Sequence, residues 1–374
     1  MAVHYFVLTY TCLIGLLVYR KRFSRNGNST GLDIKNKRFL ILSLLCLFLV
    51  TALRSRYVGL DTRMYYWYYN MMRLRPGYGQ DRWELFYLYI SKLAIRIGSF
   101  QVILIICAAI TFIGIGYFCY KNIGSEAAAF WYVFFFITLN LYFNSMHLIR
   151  QMCAIAITVN AYTVLRRDQS RKGYIKAGIL ILLGLGFHIT SIFALAYFLP
   201  FLIKRITGKS IANITIIALI GGLLLSRGQS FLIRMVPRFS RYLEDDRLST
   251  GRIGVYAAVL ILIKIAMILY TLRLDPDRPE NKEVYRLAYL TVISTAMFIL
   301  QSRTQFALRI GYFYEVFMPM FIPVFINRFK RKVNRQIMYM AMFLFGLTYF
   351  VYMMHIGGVK SNRGCVPYTF FWQL

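Results

Sequence analysis

The stretch SFQVILIICAAITFIGIGYFCY, residues 99–120, carries no charged side chain. A membrane-spanning helix needs about 20 consecutive apolar residues, so this stretch is long enough to cross a bilayer. Of the 374 residues in the chain, 59% are hydrophobic, against roughly 45–50% in soluble domains. The stretch therefore predicts a transmembrane helix, and the composition predicts several more.

Apolar runs of comparable length recur along the whole chain. Lipid offers no partner to backbone polar groups, so spanning segments are helices or closed barrels, and long uninterrupted runs exclude the barrel. We predict an all-α, polytopic membrane helix bundle of about twelve transmembrane helices, forming a single domain over residues 1–374. The predicted spans are 2–19, 39–53, 99–120, 126–143, 148–165, 175–188, 189–203, 210–225, 255–272, 287–301, 310–326 and 336–354.

The basic cluster RKRFSR, residues 20–25, follows the first run and predicts the orientation of the chain. Basic loops face the cytoplasm, so residues 20–38 and the loop 166–174 are expected inside, and residues 54–98, residues 226–254 and both termini are expected outside. The first run has no basic residues before it, which argues against a cleaved signal peptide. The net charge of +31 is then mostly an orientation signal, and we predict no nucleic-acid partner.

Lysine and arginine are distributed differently in this topology. Eleven of the 14 lysines fall on the cytoplasmic side, whereas seventeen arginines fall on the outer side. Only arginine binds phosphate or carboxylate with a planar fork. The outer face is therefore expected to bind a large anion such as a lipid-linked pyrophosphate or an acidic glycan, with anionic lipid headgroups as the alternative.

The six cysteines show no C-x-x-C motif and no Cys/His cluster, and we find no Gly-rich phosphate loop. Neither a disulfide framework nor a metal site is indicated, and no cofactor is predicted.

The stretch RSRYVGLDTRMYYWYYNMM, residues 54–72, sets one acid among arginines and tyrosines. A helix through it would carry Asp61, Tyr65 and Tyr68 on one face. Arg54, Arg56 and Arg63 are expected beside Asp61 and would keep it ionised. An aromatic belt at the membrane surface is the alternative for the tyrosines.

Three further stretches carry polar residues on the predicted outer side. Outward interfacial helices are expected near 61–97, and in WELFYLYISKLAIRI (83–97) Glu84 lies on one of them and could pair with Lys92 or Arg82. MHLIRQMCAIAI (146–157) places His147 and Arg150 at the mouth of a span, where an arginine faces a cavity or extends to the interface. GFHITS (186–191) places His188 at an outer bend.

Two later stretches are also rich in arginine. RTQFALRIGYFYE (303–315) spaces Arg309, Tyr312 and Glu315 along a helix. SFLIRMVPRFSRYLEDDR, a second predicted interfacial helix at 230–247, groups three arginines that repel one another unless an anion lies between them. These arginines are Arg234, Arg238 and Arg241.

The chain resembles the EpsG family of exopolysaccharide polymerases, relatives of the Wzy-type polymerases. The matching stretches run in the family's order over residues 54–370. They are RSRYVGLDTRMYYWYY with WELFYLYI downstream, LIRQMCAIAI, GFHITS, ALRIGYFYEVFMP and CVPYTFF.

The resemblance implies a metal-independent glycosyltransferase of the bacterial cytoplasmic membrane, acting on its outer side. It would join undecaprenyl-pyrophosphate-linked oligosaccharide repeat units during exopolysaccharide, capsule or O-antigen synthesis. The chain-length regulator and flippase of the same pathway are further expected partners.

For such a reaction Asp61 is our first candidate for the general base, Glu84 the second and His188 the third. The expected substrate-binding residues are Arg54, Arg56, Tyr65, Arg150, Gln151, Arg234, Arg238, Arg241, Arg309 and Tyr312. A flippase for lipid-linked oligosaccharides, an O-antigen ligase and a membrane O-acyltransferase remain as alternatives.

Overall fold

The computed structural model describes residues 1–20, 29–79, 83–124, 127–203, 205–227, 254–301, 305–356 and 361–373. In these residues the secondary structure is helical, with a single isolated β-bridge between Arg54 and Phe370, so the all-α prediction is confirmed. The α-helices are α1 (Ala2–Tyr19), α2 (Ser29–Ala52), α3 (Leu60–Leu74), α4 (Leu85–Ile97), α5 (Gln101–Asn122), α6 (Ala128–Thr138), α7 (Leu141–His147), α8 (Ile149–Arg167), α9 (Arg171–Leu185), α10 (Leu199–Leu202), α11 (Gly208–Arg227), α12 (Val255–Thr271), α13 (Lys282–Leu300), α14 (Gln305–Glu315), α15 (Met318–Ile326), α16 (Lys332–His355) and α17 (Ser361–Gly364). Short 3₁₀ segments cover Ile189–Phe198, Pro279–Asn281 and Phe371–Gln373.

Four helices in the described residues are long and apolar enough to cross a membrane: Ala2–Tyr19, Gln101–Asn122, Pro279–Leu300 and Lys332–His355. Two bent pairs raise the number to six when each counts as one span: α6 with α7, bent by 54°, and Phe306–Glu315 with α15, bent by 45°. The other predicted runs are helical but shorter or interrupted by charged residues. The structure therefore confirms a membrane protein with several helices, and the number of about twelve spans is not confirmed.

The chain divides into two compact units. Unit 1 contains Met1–Ile192 and Ile337–Leu374, and unit 2 contains Phe193–Gln336. We describe each unit by itself, and a single functional domain over 1–374 stays a prediction.

Helix α8 is the centre of unit 1 and is buried along nearly its whole length. It packs between α5 and α9, and small residues allow the close approach. At Gly114 of α5, a Cβ would lie 2.5 Å from the carbonyl oxygen of Ala156. The amide of Asn160 donates to the Gly114 carbonyl at 3.0 Å, which satisfies polar groups inside this interface. These contacts make α8 a rigid support for the residues at its N-terminal end.

Helices α3 and α4 fall within the segment 61–97 that we predicted as interfacial. Each is amphipathic: α3 buries Tyr65 and Tyr68 and exposes Arg63 and Trp67. The helical prediction is thus confirmed here, while a position at the membrane surface stays a prediction. The second predicted interfacial helix, at 230–247, lies outside the described residues.

The C-terminal segment after α17 packs back onto the turn between α2 and α3. Ser55 N–H donates to the Thr369 carbonyl at 2.8 Å, and Phe371 N–H donates to the Leu53 carbonyl at 3.0 Å. Gly59 N–H donates to the Gly364 carbonyl at 2.8 Å. This pairing fixes the turn from which α3 starts.

In unit 2, α13 contacts α11, α12 and α14. Most residues of α13 are buried. An apolar recess of about 340 Å³ lies among α11, α12 and α13.

Candidate functional site

The Asp61 carboxylate and the His147 imidazole lie close together in unit 1. Asp61 lies in the first turn of α3, where the positive end of the helix dipole favours a carboxylate. His147 is the last residue of α7, and its Nδ1 lies 3.7 Å from Asp61 Oδ1. The Asp61 side chain keeps 24% of its surface exposed and His147 keeps 12%. The carboxylate is therefore reachable from outside the protein while its partner is mostly enclosed.

Glu84 and Arg150 form an ion pair nearby. Glu84 is the residue before α4, and Arg150 lies in the first turn of α8, three residues after His147. Arg150 Nε also donates to the Tyr65 hydroxyl at 3.3 Å, and Tyr65 lies one turn after Asp61 on α3. Tyr65 thus connects the helix of the first pair to the second pair.

Three aromatic rings surround the Arg150 guanidinium. Its Cζ lies 4.4 Å from the Trp83 ring centre and 5.6 Å from those of Tyr65 and Tyr87. Burial raises the pKa of the Tyr87 phenol, on α4, well above its usual value, so this ring stays neutral. Cation–π contacts and the Glu84 carboxylate therefore satisfy the charge of Arg150 together.

His188 lies in the turn that contacts Glu84. Its Nδ1 accepts the Thr190 backbone N–H at 3.3 Å and lies 2.6 Å from the Thr190 hydroxyl. The next residue, Ile189, donates its N–H to Glu84 Oε1 at 3.4 Å. His188 itself is buried, with 1% of its surface exposed. The structure thus gives His188 a role in holding this turn, and it brings the turn to the Glu84–Arg150 pair.

The three arginines expected beside Asp61 have other partners. Arg54 is fully buried and donates to the carbonyls of Thr51 and Met146, so it is not accessible to a ligand here. Arg56 donates to the Tyr66 hydroxyl at 2.6 Å and lies 5.1 Å from the Tyr57 ring centre.

Arg63 lies over the same Tyr57 ring, at 5.3 Å. Within the described part of the chain, neither Arg56 nor Arg63 pairs with an acid. The expected cluster around Asp61 is corrected: His147 is the described partner of Asp61.

Gln151, the next residue after Arg150, is buried in α8.

The contacts described above bring five predicted residues together in unit 1: Asp61, Tyr65, Glu84, Arg150 and His188.

In unit 2, Arg309, Tyr312 and Glu315 lie on α14, as their spacing predicts. Tyr312 is buried and packs edge-on against Phe298, while Arg309 is half-buried. Arg234, Arg238 and Arg241 lie outside the described residues.

Glu315 pairs with a residue that we had not assigned to any site. Lys264 of α12 donates to Glu315 and to the Ser294 hydroxyl, the latter at 3.1 Å. Ser294 in turn donates to Glu315 at 2.6 Å. The signal for this pair was visible in the sequence, because a lysine inside an apolar run requires a partner. The partnership of His147 with Asp61 had no such local signal.

No three His, Cys, Asp or Glu side chains come together as a metal site in the part of the chain that the structure describes. The prediction that no metal or cofactor is needed stays a prediction.

The described residues include helices long enough to span a membrane. Two adjoining acid–base pairs lie at helix ends in unit 1. These features define a membrane protein with a polar site. The EpsG family model matches residues 37–370, and the chain belongs to the EpsG family. The resemblance inferred from the ordered motifs is thereby confirmed. No curated protein and no solved structure matches the chain.

Proposed function

We propose that the protein is a polysaccharide polymerase that joins undecaprenyl-pyrophosphate-linked oligosaccharide units on the outer face of the cytoplasmic membrane. Membership of the EpsG family supports a polymerase. The observation that carries the proposal is the part-exposed Asp61 carboxylate, paired with His147 and flanked by the enclosed Glu84–Arg150 pair.

In the proposed reaction Asp61 is the general base. It takes the proton of the acceptor hydroxyl, whose oxygen forms the new bond to the donor's anomeric carbon. The bond from that carbon to the lipid pyrophosphate breaks, and the pyrophosphate leaves with the electron pair. Of the three candidate bases, Asp61 has the carboxylate with the greatest exposure, 24% against 12% for Glu84.

Glu84 and Arg150 then support the site rather than carry out the proton transfer. The Glu84 carboxylate already accepts from Arg150 and from the Ile189 N–H. Removing one partner of such an enclosed pair leaves the other charge unpaired, which is costly. The pair therefore fixes the relative positions of α4, α8 and the 188–190 turn.

The developing charge on the pyrophosphate requires cations. In unit 1 the candidates are Arg56 and Arg63, which share the half-exposed Tyr57 ring and have no described acid partner. Arg309 and Tyr312 of unit 2, and Arg234, Arg238 and Arg241 outside the described residues, stay predicted substrate-binding residues. The twelve-span topology, with both termini outside and the bilayer as surroundings, belongs to the same proposal.

The test is the glycan of a strain that lacks the gene, complemented by the wild-type chain or by the Asp61→Asn variant. A polymerase leaves single lipid-linked repeat units outside the cell in the deletion strain. Absence of any outward unit indicates a flippase, and normal polymer that lacks acyl groups indicates an acyltransferase. Lipid-linked polymer of normal length that fails to reach its final acceptor indicates a ligase. Each of the last three outcomes overturns the proposal.

A further inference from the structure

The carbonyl of Met146 is a meeting point of three chain segments in unit 1. It belongs to the last turn of α7, where carbonyl groups lack partners within the helix. Arg54 Nη2 donates to it at 3.1 Å, and the Thr62 hydroxyl donates to it at 3.2 Å. Met146, Arg54 and Thr62 are all fully buried, with 0% of their surface exposed.

Gly59 allows this convergence because it has no side chain. A Cβ at Gly59 would lie 2.6 Å from the Met146 carbonyl oxygen, which is closer than Cβ atoms approach other atoms in proteins. Its φ of +92° is also a conformation that residues with side chains rarely adopt. The turn before α3 is therefore shaped to bring Thr62 against the end of α7.

The charge of buried Arg54 fits this arrangement. Within the described residues no acid pairs with it. Its two bonded carbonyls, of Thr51 and Met146, lie in the last turns of α2 and α7. Helix C-termini carry partial negative charge, so two helix ends stabilise this cation in place of a carboxylate.

The residues that meet at this carbonyl are the chain neighbours of the acid–base pair. Thr62 directly follows Asp61, and Met146 directly precedes His147. We infer that Arg54 and Thr62 are positioning residues, which hold His147 against Asp61 by donating hydrogen bonds to the carbonyl of Met146. The inference rests on the proposed function for its effect on transfer, and its geometry is testable without that function.

The Asp61–His147 separation of 3.7 Å is longer than a hydrogen bond, so a small displacement of α7 changes the contact. Displacements of about 1 Å at a catalytic group can cost about a hundredfold in rate. Arg54 thus acts through backbone geometry, which explains its burial better than the direct ligand contact that we expected.

The matched variants are Thr62→Val, which keeps the side-chain shape but loses the hydroxyl, and Thr62→Ser, which keeps the hydroxyl. Arg54→Met is the stronger change but is expected to reduce folding. Purified full-length protein in lipid nanodiscs is assayed for transfer with lipid-linked repeat units extracted from the deletion strain. Thr62→Val is expected to lower kcat by roughly five- to twentyfold with KM unchanged, and Thr62→Ser to restore it.

A second measurement reads the geometry directly. The chain has four histidines, so histidine labelled with ¹⁵N at Nδ1 alone gives four imidazole signals, and His147→Gln assigns the one of interest. In Thr62→Val that signal is expected to move toward its position in Asp61→Asn, while Thr62→Ser leaves it at the wild-type position.

If the His147 signal stays unchanged in Thr62→Val, the inference is overturned, even when the variant yields less folded protein. If Thr62→Ser behaves like Thr62→Val, the hydroxyl bond is not the cause and the inference is again overturned. A signal that moves while the wild-type protein shows no transfer contradicts the proposed function and supports the positioning role.

Discussion

Two ion pairs, one in each unit, differ in what surrounds them. Glu84 and Arg150 of unit 1 keep 12% and 10% of their side-chain surface exposed, and Arg150 contacts three aromatic rings. Lys264 and Glu315 of unit 2 keep 0% and 2%; Lys264 contacts one ring, that of Phe298, and the described polar contact of the pair is Ser294. Of these two pairs, the unit 1 pair is the one that adjoins a part-exposed carboxylate, that of Asp61, in the part of the chain that the structure describes. We therefore propose that the unit 1 site carries the chemistry and that the unit 2 pair contributes to stability.

The largest expected effect is that of Asp61→Asn on transfer. Loss of a general base lowers a rate by about 10²–10⁴-fold, and asparagine is nearly the same shape as aspartate. Single-turnover transfer by the purified variant measures this, with His188→Gln as the control that leaves the carboxylate in place. A wild-type rate for Asp61→Asn would assign the base to another residue and would remove the main difference between the two sites.

The second prediction concerns the sealed pair of unit 2. Lys264→Met leaves Glu315 buried without its cation and is expected to cost about 3–5 kcal/mol of unfolding free energy. The double variant Lys264→Met with Glu315→Met removes both charges and should recover most of this loss, because apolar replacements of buried pairs are often neutral.

Thermal unfolding of the purified proteins in one detergent measures both variants. If Lys264→Met keeps wild-type stability but loses transfer, the unit 2 pair takes part in the reaction, and its assignment to stability is wrong.

The sequence predicted the helices well because apolar length is a local property of the chain. It missed the break of the run 126–143 into α6 and α7, which occurs at Asn140 with a φ of +73°. Asparagine tolerates this left-handed conformation, but nothing nearby in the sequence requires it. The break matters for the site because α7 ends at His147.

The polar site was predictable only in part. The helical spacing of Asp61 and Tyr65 placed them on one face, and the structure agrees in joining Tyr65 to Arg150. The expected arginine neighbours of Asp61 were inferred from closeness in the chain. The fold instead turns Arg54 inward to two helix ends, which periodicity does not reveal.

A smaller effect is expected for the change of Arg150 to lysine. Lysine keeps the charge but loses the planar fork that reaches Glu84 and Tyr65 together. Loss of one hydrogen bond to a charged group corresponds to roughly a tenfold to hundredfold fall in transfer. Polymer length on complementation and kcat of the purified protein are the measurements. Arg309→Lys is the matched variant in unit 2.

If pyrophosphate binding involves Arg309, its lysine variant should also shorten the polymer at normal protein levels. Normal polymer with Arg309→Lys would instead indicate that this arginine only extends to the membrane interface. Normal polymer with Arg150→Lys would contradict the role of the Glu84–Arg150 pair as the support of the site.

The smallest effect on activity is expected for a labelling variant that tests the side of the membrane. Arg75 follows α3, is exposed, and belongs to no part of the proposed machinery. Arg75→Cys should polymerise normally and react with a membrane-impermeant thiol reagent in intact cells, because residues 54–98 are predicted outside. Arg171→Cys, at the start of α9 in a loop predicted to be cytoplasmic, should react only after the cells are opened, and the wild-type chain supplies the background of its own cysteines. The reverse pattern would place Asp61 and Glu84 on the cytoplasmic side, and the assignment of outward chemistry to unit 1 would fail with it.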